Sequence, residues 1–426
     1  MSITKIFLRA LAISLLTAFN ASAQTLDLIT CLDSAESAMP LLRQRPLYRD
    51  AMQNALKNLS NAYLPAVTAN GQFSYQSDVP SLPFTSPGSP EIDIPKDQYR
   101  VFAEVSQPIY DAGYSRAQKM VSLAGTEVNL QTLEVGLHEY QRQVIQVFFQ
   151  VLLAERQQDI IERVIDLLDE KVQVAEAGYA NGVLQQNDVL RIEAGIIDQE
   201  KHLAELTEAI GGGMKVLSML TGIETEGRAL VIPEMPSRDQ ADLSNNPEFS
   251  LIEAQNQRLQ ASLQLANSQR MPRISLFGQT GVGRPNPFNF FEAEQSFFYI
   301  AGIRATWTIF DWNKASRERQ NILLDSRMLS ARREQKEIEL NSLLARLEKD
   351  LSMFQQILEK DTRLLDIREE IRANASVQLN EGVITLAEYL DEVLAEQQAG
   401  IAMTIDEINL GKTTILIQHQ LGTLTN

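Results

Sequence analysis

Two hydrophobic periodicities alternate along this chain. From Val67 to Gln76 the side chains switch strictly, with Val67, Ala69, Gly71, Phe73 and Tyr75 on one face and Thr68, Asn70, Gln72, Ser74 and Gln76 on the other. Period two over ten residues predicts a strand with one dry face and one wet face. Tyr99, Val101, Ala103 and Val105 likewise alternate with Arg100, Phe102, Glu104 and Ser106, where Phe102 is the exception. A third segment, Ile274 to Val282, is less clean because Phe277 falls on its polar side. In a fourth, Phe297, Tyr299, Ala301, Ile303, Ala305, Trp307 and Ile309 form one apolar face opposite Gly302, Arg304, Thr306 and Thr308. Strands of about 9–11 residues with aromatic residues near their ends fit paired transmembrane β-barrel segments. A half-buried soluble sheet is the competing reading.

The second periodicity is helical. No proline occurs between Pro108 and Pro233 or after Pro287. Leu340, Leu344, Leu347, Leu351, Phe354, Leu358 and Leu365 follow alternating steps of four and three, with Asp361 in the one missing position, which is the seam of a coiled coil. Val144, Phe148, Val151, Ile160, Ile161, Val164, Ile165, Leu167 and Leu168 make a wider surface, suited to a helix with neighbours on two sides. The reversals fall at Asn181-Gly182-Val183 and Glu381-Gly382-Val383, where glycine takes the left-handed conformation that ends a helix. About 65 residues before each turn correspond to roughly 100 Å of helix. The run Gly211-Gly212-Gly213 is expected to loosen the returning helix of the first half.

The halves are copies of one unit. Pro40 and Pro65 recur as Pro247 and Pro272, a shift of 207; Asp111, Gly182 and Gly222 recur as Asp311, Gly382 and Gly422, a shift of 200. The difference lies in the first inter-strand loop, which carries Pro80, Pro83, Pro87, Pro90 and Pro95. The sequence therefore divides into a signal peptide at 1–23, a first repeat at 24–222, an equatorial linker at 223–246 and a second repeat at 247–426. Each repeat holds a helix, a β-hairpin and a long helical hairpin, so the fold class is mainly α with β. Open sheet edges are not tolerated inside a bilayer, and four strands cannot close a barrel. Membranous strands thus require oligomerisation: two copies barely close, whereas three give an open channel.

Composition fixes the address and excludes several functions. Lys5 and Arg9, the apolar run from Leu11 to Leu16 and the small residues Ala21-Ser22-Ala23 have the layout of a secretory signal cleaved after Ala23. Cys31 is the sole cysteine; Leu28-Ile29-Thr30 lacks the small residue expected before a lipidated cysteine, so Cys31 reads as a packed residue. The formal charge of −17 becomes −19 when Lys5 and Arg9 leave, which argues against nucleic acid as a partner. That charge fits a soluble acidic exterior or a water-filled, cation-favouring lumen. His138, His202 and His419 are isolated in helical context, and no phosphate loop, nucleophile motif or metal-ligand spacing appears. The chain is expected to be no enzyme and to need no cofactor.

The ordered set of features resembles the TolC-like outer-membrane efflux protein family over nearly the whole mature length. It is carried by the paired hairpins, by Ser106-Gln107-Pro108-Ile109-Tyr110-Asp111-Ala112-Gly113 and its counterpart Trp307-Thr308-Ile309-Phe310-Asp311-Trp312-Asn313, and by the two tip turns. Asn313 replaces a glycine the family often has, which bears on the local turn. The resemblance implies a homotrimer in outer-membrane lipid, with twelve strands in one β-barrel continued by a twelve-helix periplasmic α-barrel. It also implies a passive duct docked to an inner-membrane transporter through a periplasmic adaptor (membrane fusion protein). By the same resemblance, an acidic periplasmic gate falls on Glu388 and Asp391, with Asp188 in the first repeat, and adaptor contact falls on the tips Asn181, Gly182, Val183, Glu381, Gly382 and Val383. For the gate residues a solvated helix face is the plain alternative. The other protein class to weigh is a periplasmic coiled-coil adaptor or scaffold, in which duplicated amphipathic strand pairs have no place.

Overall fold

A computed structural model describes residues 25–79, 94–233, 242–289 and 292–424. The signal segment, residues 80–93 of the first inter-strand loop and residues 234–241 of the linker lie outside the described residues. In chain order the elements are α1 (Leu28–Ala38), a 3-10 turn (Pro40–Arg43), α2 (Gln44–Asn61), β1 (Ala66–Tyr75), β2 (Asp97–Tyr110), α3 (Tyr114–Ala180) and α4 (Gln186–Thr221). A second 3-10 turn (Leu243–Asn245) precedes α5 (Pro247–Ser268), β3 (Arg273–Arg284), β4 (Ser296–Thr306), α6 (Lys314–Asn380) and α7 (Leu386–Gln420). The expected 65-residue helices are present at 67 residues each. Two compact units cut across both repeats: one holds residues 44–132 and 251–334, the other residues 1–43, 133–250 and 335–426.

In the first unit β1 to β4 form one antiparallel sheet in sequential order, so β1 and β4 each leave an unpaired edge. The register places Phe73 beside Tyr99, Val101 beside Val282 and Leu276 beside Ile303, which puts the apolar residues of all four strands on one face. That face is open: Phe73 is 72 %, Ile303 70 % and Tyr299 77 % exposed. From Val67 to Tyr75, Tyr99 to Gln107, Ile274 to Val282 and Phe297 to Ala305 it carries no charged residue. The fourth strand is shorter than its alternation, ending at Thr306. Trp307 lies beyond it and donates its indole N–H to the Arg270 carbonyl at 3.1 Å, which takes the chain out of the ladder.

Phe102 and Phe277, which break the alternation, sit on the opposite face and have partners there. Phe102 packs on Phe298 with ring centroids 6.3 Å apart, and Phe277 lies under the Arg304 guanidinium. Glycines permit close approach beside both residues, of the neighbouring backbone at Gly281 and of the Phe277 ring at Gly302. A Cβ at Gly281 would stand 2.2 Å from the Val101 carbonyl oxygen and 2.5 Å from Phe102 Cα, and one at Gly302 would stand 3.0 Å from the Phe277 ring.

Both strand-to-helix junctions use one device. Ala112 and Gly113 have φ of 54° and 79°, and Trp312 and Asn313 have φ of 55° and 63°, so each junction takes two successive left-handed residues. Asn313 therefore reproduces the glycine's conformation, as asparagine tolerates it better than most residues do. Asp111 accepts N–H bonds from Gly113 at 3.0 Å and Ser115 at 2.8 Å, and Asp311 accepts from Ala315 at 2.9 Å. Each carboxylate satisfies donors that the first helical turn leaves unpaired.

In the second unit the core is built on α3. Val144, Ile145, Phe148, Val151 and Leu152 pack against Met214 and Leu217 of α4, Ile408 and Ile415 of α7, and Cys31 and Leu32 of α1. Cys31 is fully buried, and that burial, followed by the nearby Asp27 charge, pushes its thiol up to about 12, so it is neither reactive nor exposed. The linker is laid along the helices. Leu230 pairs with Leu26 as a short parallel bridge, and Thr225 donates to the Met214 carbonyl at 2.8 Å. The triple-glycine run is helical within α4. A Cβ at Gly213 would stand 2.3 Å from Val151 Cγ2, so that glycine lets two helix backbones approach.

Candidate functional site at the hairpin turns

Each long helical hairpin reverses through one left-handed glycine. Gly182 has φ of 71° and its N–H reaches the Tyr179 carbonyl at 2.9 Å, while Val183 N–H closes on Gly178 at 2.9 Å. Gly382 repeats this with φ of 73°, a 3.0 Å bond to Leu379 and a 2.8 Å bond from Val383 to Gln378. Neither glycine has a neighbouring atom where a Cβ would stand, so the backbone conformation alone demands glycine. The valines that follow point outward, Val183 at 79 % and Val383 at 68 % exposure, each an apolar side chain at the end of a hairpin.

Two of the three acidic residues singled out by sequence are helix caps. Asp188 accepts the Gln185 N–H at 3.0 Å, and Glu388 accepts from the Thr385 N–H at 2.8 Å and hydroxyl at 2.9 Å, each at the third position of its helix. The bonds from Thr385 hold the Glu388 carboxyl below its ordinary value. Asp391 is exposed one turn further along α7 and has no capping role. Its counterpart at the shift of 200 is Arg191, also exposed, so the two repeats present opposite charges there.

Below the turns the hairpins share a core: Val164 and Leu168 of α3, Val189 and Ile192 of α4, Ala375 of α6, and Leu386, Tyr389 and Val393 of α7. Tyr389 is completely buried, with Lys171 Nζ 5.7 Å from its ring centroid. A rail of ion pairs ties α6 to α7, with Arg368 on Glu392 at 3.3 Å and Arg372 on Glu396 one turn away. Both pairs span 24 residues, and this basic pair facing an acidic pair across Gly382 was a signal available in the sequence. Gln199 and Gln397 add a buried 2.6 Å hydrogen bond between α4 and α7.

The histidines were read as isolated, and two of them are not. His138 of α3 and His419 of α7 stack with ring centroids 3.7 Å apart and planes 19° from parallel. The Nε2 of each lies within hydrogen-bond distance of the other's backbone carbonyl, at 2.8 and 2.9 Å. Burial drives His419 down to about 3 and lowers His138 as well, so both rings are neutral donors near neutral pH. A sequence separation of 281 residues gave no hint of this meeting. His202 pairs only along its own helix, with Glu205 at 3.5 Å. Among the described residues no cluster of three metal-ligating side chains occurs, and no helix is long and apolar enough to cross a membrane.

Comparison with known proteins follows the same outline. Residues 31–211 match the profile of the family described as outer membrane efflux protein. Over 223 residues the chain is 24% identical to the cobalt-zinc-cadmium resistance protein CzcC of Cupriavidus metallidurans; the match covers 50% of this chain and 51% of the relative, so it spans about half of that protein's length. Among solved structures, VceC of Vibrio cholerae aligns with a TM-score of 0.71 at 14% identity, covering 94% of this chain and 97% of the other. CusC aligns at 0.73 and 14% identity over 95% of both chains, and the open state of the MtrE channel of Neisseria gonorrhoeae aligns at 0.69 and 16% identity over 94% and 89%. The first repeat thus carries the sequence signature of the outer membrane efflux protein family, and the chain as a whole has the TolC-like fold of outer-membrane channels.

Proposed function

We propose that this chain is one protomer of a trimeric outer-membrane export duct, which passively conducts substrates delivered by an inner-membrane transporter through a periplasmic adaptor. The observation that carries the reading is the four-stranded sheet. Across its middle the apolar face is charge-free and open to the surroundings, with charge only at one end where Arg284 pairs with Asp97 at 3.0 Å, and both edges of the sheet are unpaired. In water such a face and such edges invite aggregation. In a bilayer the face is solvated by lipid, and joining β4 of one copy to β1 of the next removes every edge, with three copies giving twelve strands. A periplasmic adaptor or scaffold has no use for this sheet. The test is fractionation with native mass determination and planar-bilayer recording. A heat-sensitive trimer in the outer membrane that forms channels is expected; a monomer in the soluble periplasmic fraction would refute the reading.

The hairpin turns are the proposed periplasmic end. Asn181-Gly182-Val183 and Glu381-Gly382-Val383 differ in charge and so offer the adaptor two unlike contacts. Bulky substitution at Gly182 or Gly382 is expected to abolish efflux and leave the trimer intact. Glu388, Asp391 and Asp188 are the proposed acidic gate, since a ring of carboxylates favours cations and resists constriction by repulsion. Asp391→Asn is the clean probe because it leaves both caps in place, and unchanged cation block and conductance would remove Asp391 from the gate.

A further inference from the structure

The polar face of the sheet is basic. Along β1 to β4 that face carries Arg100, Arg273 and Arg304 against one carboxylate, Glu104, a net charge of +2 in a chain whose formal charge is −17. Glu104 is used on both oxygens: Oε1 lies 3.4 Å from Arg304 Nη1, and Oε2 accepts from Gln279 Nε2 at 2.9 Å. The latter bond fixes the Gln279 amide so that its oxygen, rather than its nitrogen, turns to Arg100 Nη2 at 2.7 Å.

Arg100 therefore has a neutral amide for a partner and, among the described residues, no carboxylate. Its guanidinium carbon stands 4.3 Å from the Phe102 centroid and 5.1 Å from that of Phe298, and its Nε is buried without a hydrogen-bond partner. Arg304 stacks 4.6 Å from Phe277. Stacking on aromatic faces orients a guanidinium and excludes water from one side without neutralising it. Gly302 leaves the space in which the Phe277 ring lies, and Gly281 lets its strand approach the Phe102 backbone closely. The result is a pair of held cations, one without a counter-charge among the described residues, on the face opposite the lipid-compatible one.

We propose that Arg100 and Arg304 form an anion-selecting collar inside the β-barrel, attracting inorganic anions and carboxylate- or phosphate-bearing solutes and disfavouring cations. The proposal rests on the duct reading: in a trimer the collar holds six guanidinium groups and, with Arg273 and Glu104 counted, a net charge of +6 at +2 per chain. Fixed charge on the low-dielectric wall of a pore governs the local ion population. The acidic total of the chain points to cations, and the collar points the other way for the strand section.

The experiment is the reversal potential of the purified trimer in a planar bilayer under a tenfold potassium chloride gradient. The double variant R100Q/R304Q is expected to lower the chloride-to-potassium permeability ratio at least about threefold, and R100K/R304K to keep the wild-type ratio. Glu104→Gln, which removes the one counter-charge, is expected to raise it, and this remains informative should R100Q/R304Q fail to assemble. Wild-type reversal potentials in intact R100Q/R304Q and E104Q trimers would overturn the collar and leave the duct standing. Absence of any channel from wild-type trimer would overturn the duct, and the collar with it.

Discussion

The stacked histidines supply a stability that depends on pH. A neutral ring donates one N–H to the opposing carbonyl, and a second proton would place a charge in a site from which water is excluded. The folded-state value of His419, about 3, lies below the ordinary 6.5, and His138 shifts in the same direction. With the folded value depressed, the contribution is fully present above pH 6.5 and is lost as pH falls from 6.5 towards 3, because only the unfolded chain takes up the proton. One proton contributes about 1.4 kcal/mol per pH unit. At pH 5 the loss from His419 alone is therefore about 2 kcal/mol, 1.5 units below 6.5, and His138 adds to it.

Charged neighbours do not cancel this. Arg142 acts in the same direction as burial on both rings, while Glu139 and Glu248 oppose it at His138. The control is His419→Gln, whose amide nitrogen keeps a donor near the Nε2 position without a titratable group. Amide hydrogen exchange of peptides from α3 and α7, corrected for intrinsic rates, reads the opening free energy at pH 7.5 and pH 5. Wild type is expected to lose about 2 kcal/mol more than H419Q over that interval. Equal losses in the two proteins, or a wild type better protected at pH 5, would refute the reasoning.

Three further outcomes follow from packing and caps. Gly213→Ala improves intrinsic helix propensity by about 1 kcal/mol, yet its Cβ meets stiff Val151 at 2.3 Å, so net destabilisation of about 1–2 kcal/mol is expected. Chemical denaturation checks this, and adding Val151→Ala should relieve part of the cost. Asp111→Ala removes the acceptor for two N–H groups at the start of α3, with about 1 kcal/mol expected and a lower thermal unfolding midpoint as the readout. In a double-mutant cycle on Arg372 and Glu396, a partly exposed pair, the coupling should be about 1 kcal/mol or less and should shrink in high salt.

What the sequence made legible was whatever repeats with a short period. Strict alternation over Val67–Gln76 marked β1 to within a residue, and absence of proline with four-three spacing marked α6. The fourth strand extends less far than its alternation because Trp307 and Ile309 keep the apolar parity after the ladder has ended; exposed apolar residues continue past the strand, whereas pairing does not. Phe102 and Phe277 looked like defects because their partners, Phe298, Gly281, Arg304 and Gly302, lie on other strands. His138 and His419 were invisible for the same reason, since only tertiary packing brings together residues 281 apart. Propensity describes an isolated helix and so could not show that Gly213, unlike Gly211 and Gly212, is required by a neighbouring side chain, Val151.

The acidic residues by the turns show how one sequence signal has two causes. A carboxylate at the third position of a helix is favoured by the capping box and by the helix dipole whatever the protein does. Asp188 and Glu388 satisfy that rule with visible hydrogen bonds, so their presence in both repeats is explained before any channel is invoked. Asp391 has no such explanation, and the repeat that supplies it faces a repeat that supplies Arg191. In the proposed trimeric ring those positions would alternate in sign and partly cancel, whereas Asp188 and Glu388 would add. A gate built from the caps alone would therefore tie its charge to the integrity of the turns: neutralising a cap loosens the hairpin end and removes the repulsion at once. Substitution at Asp391 would change the charge of such a ring while leaving both turns intact, so it is the position at which the proposed electrostatic closure is separable from turn geometry.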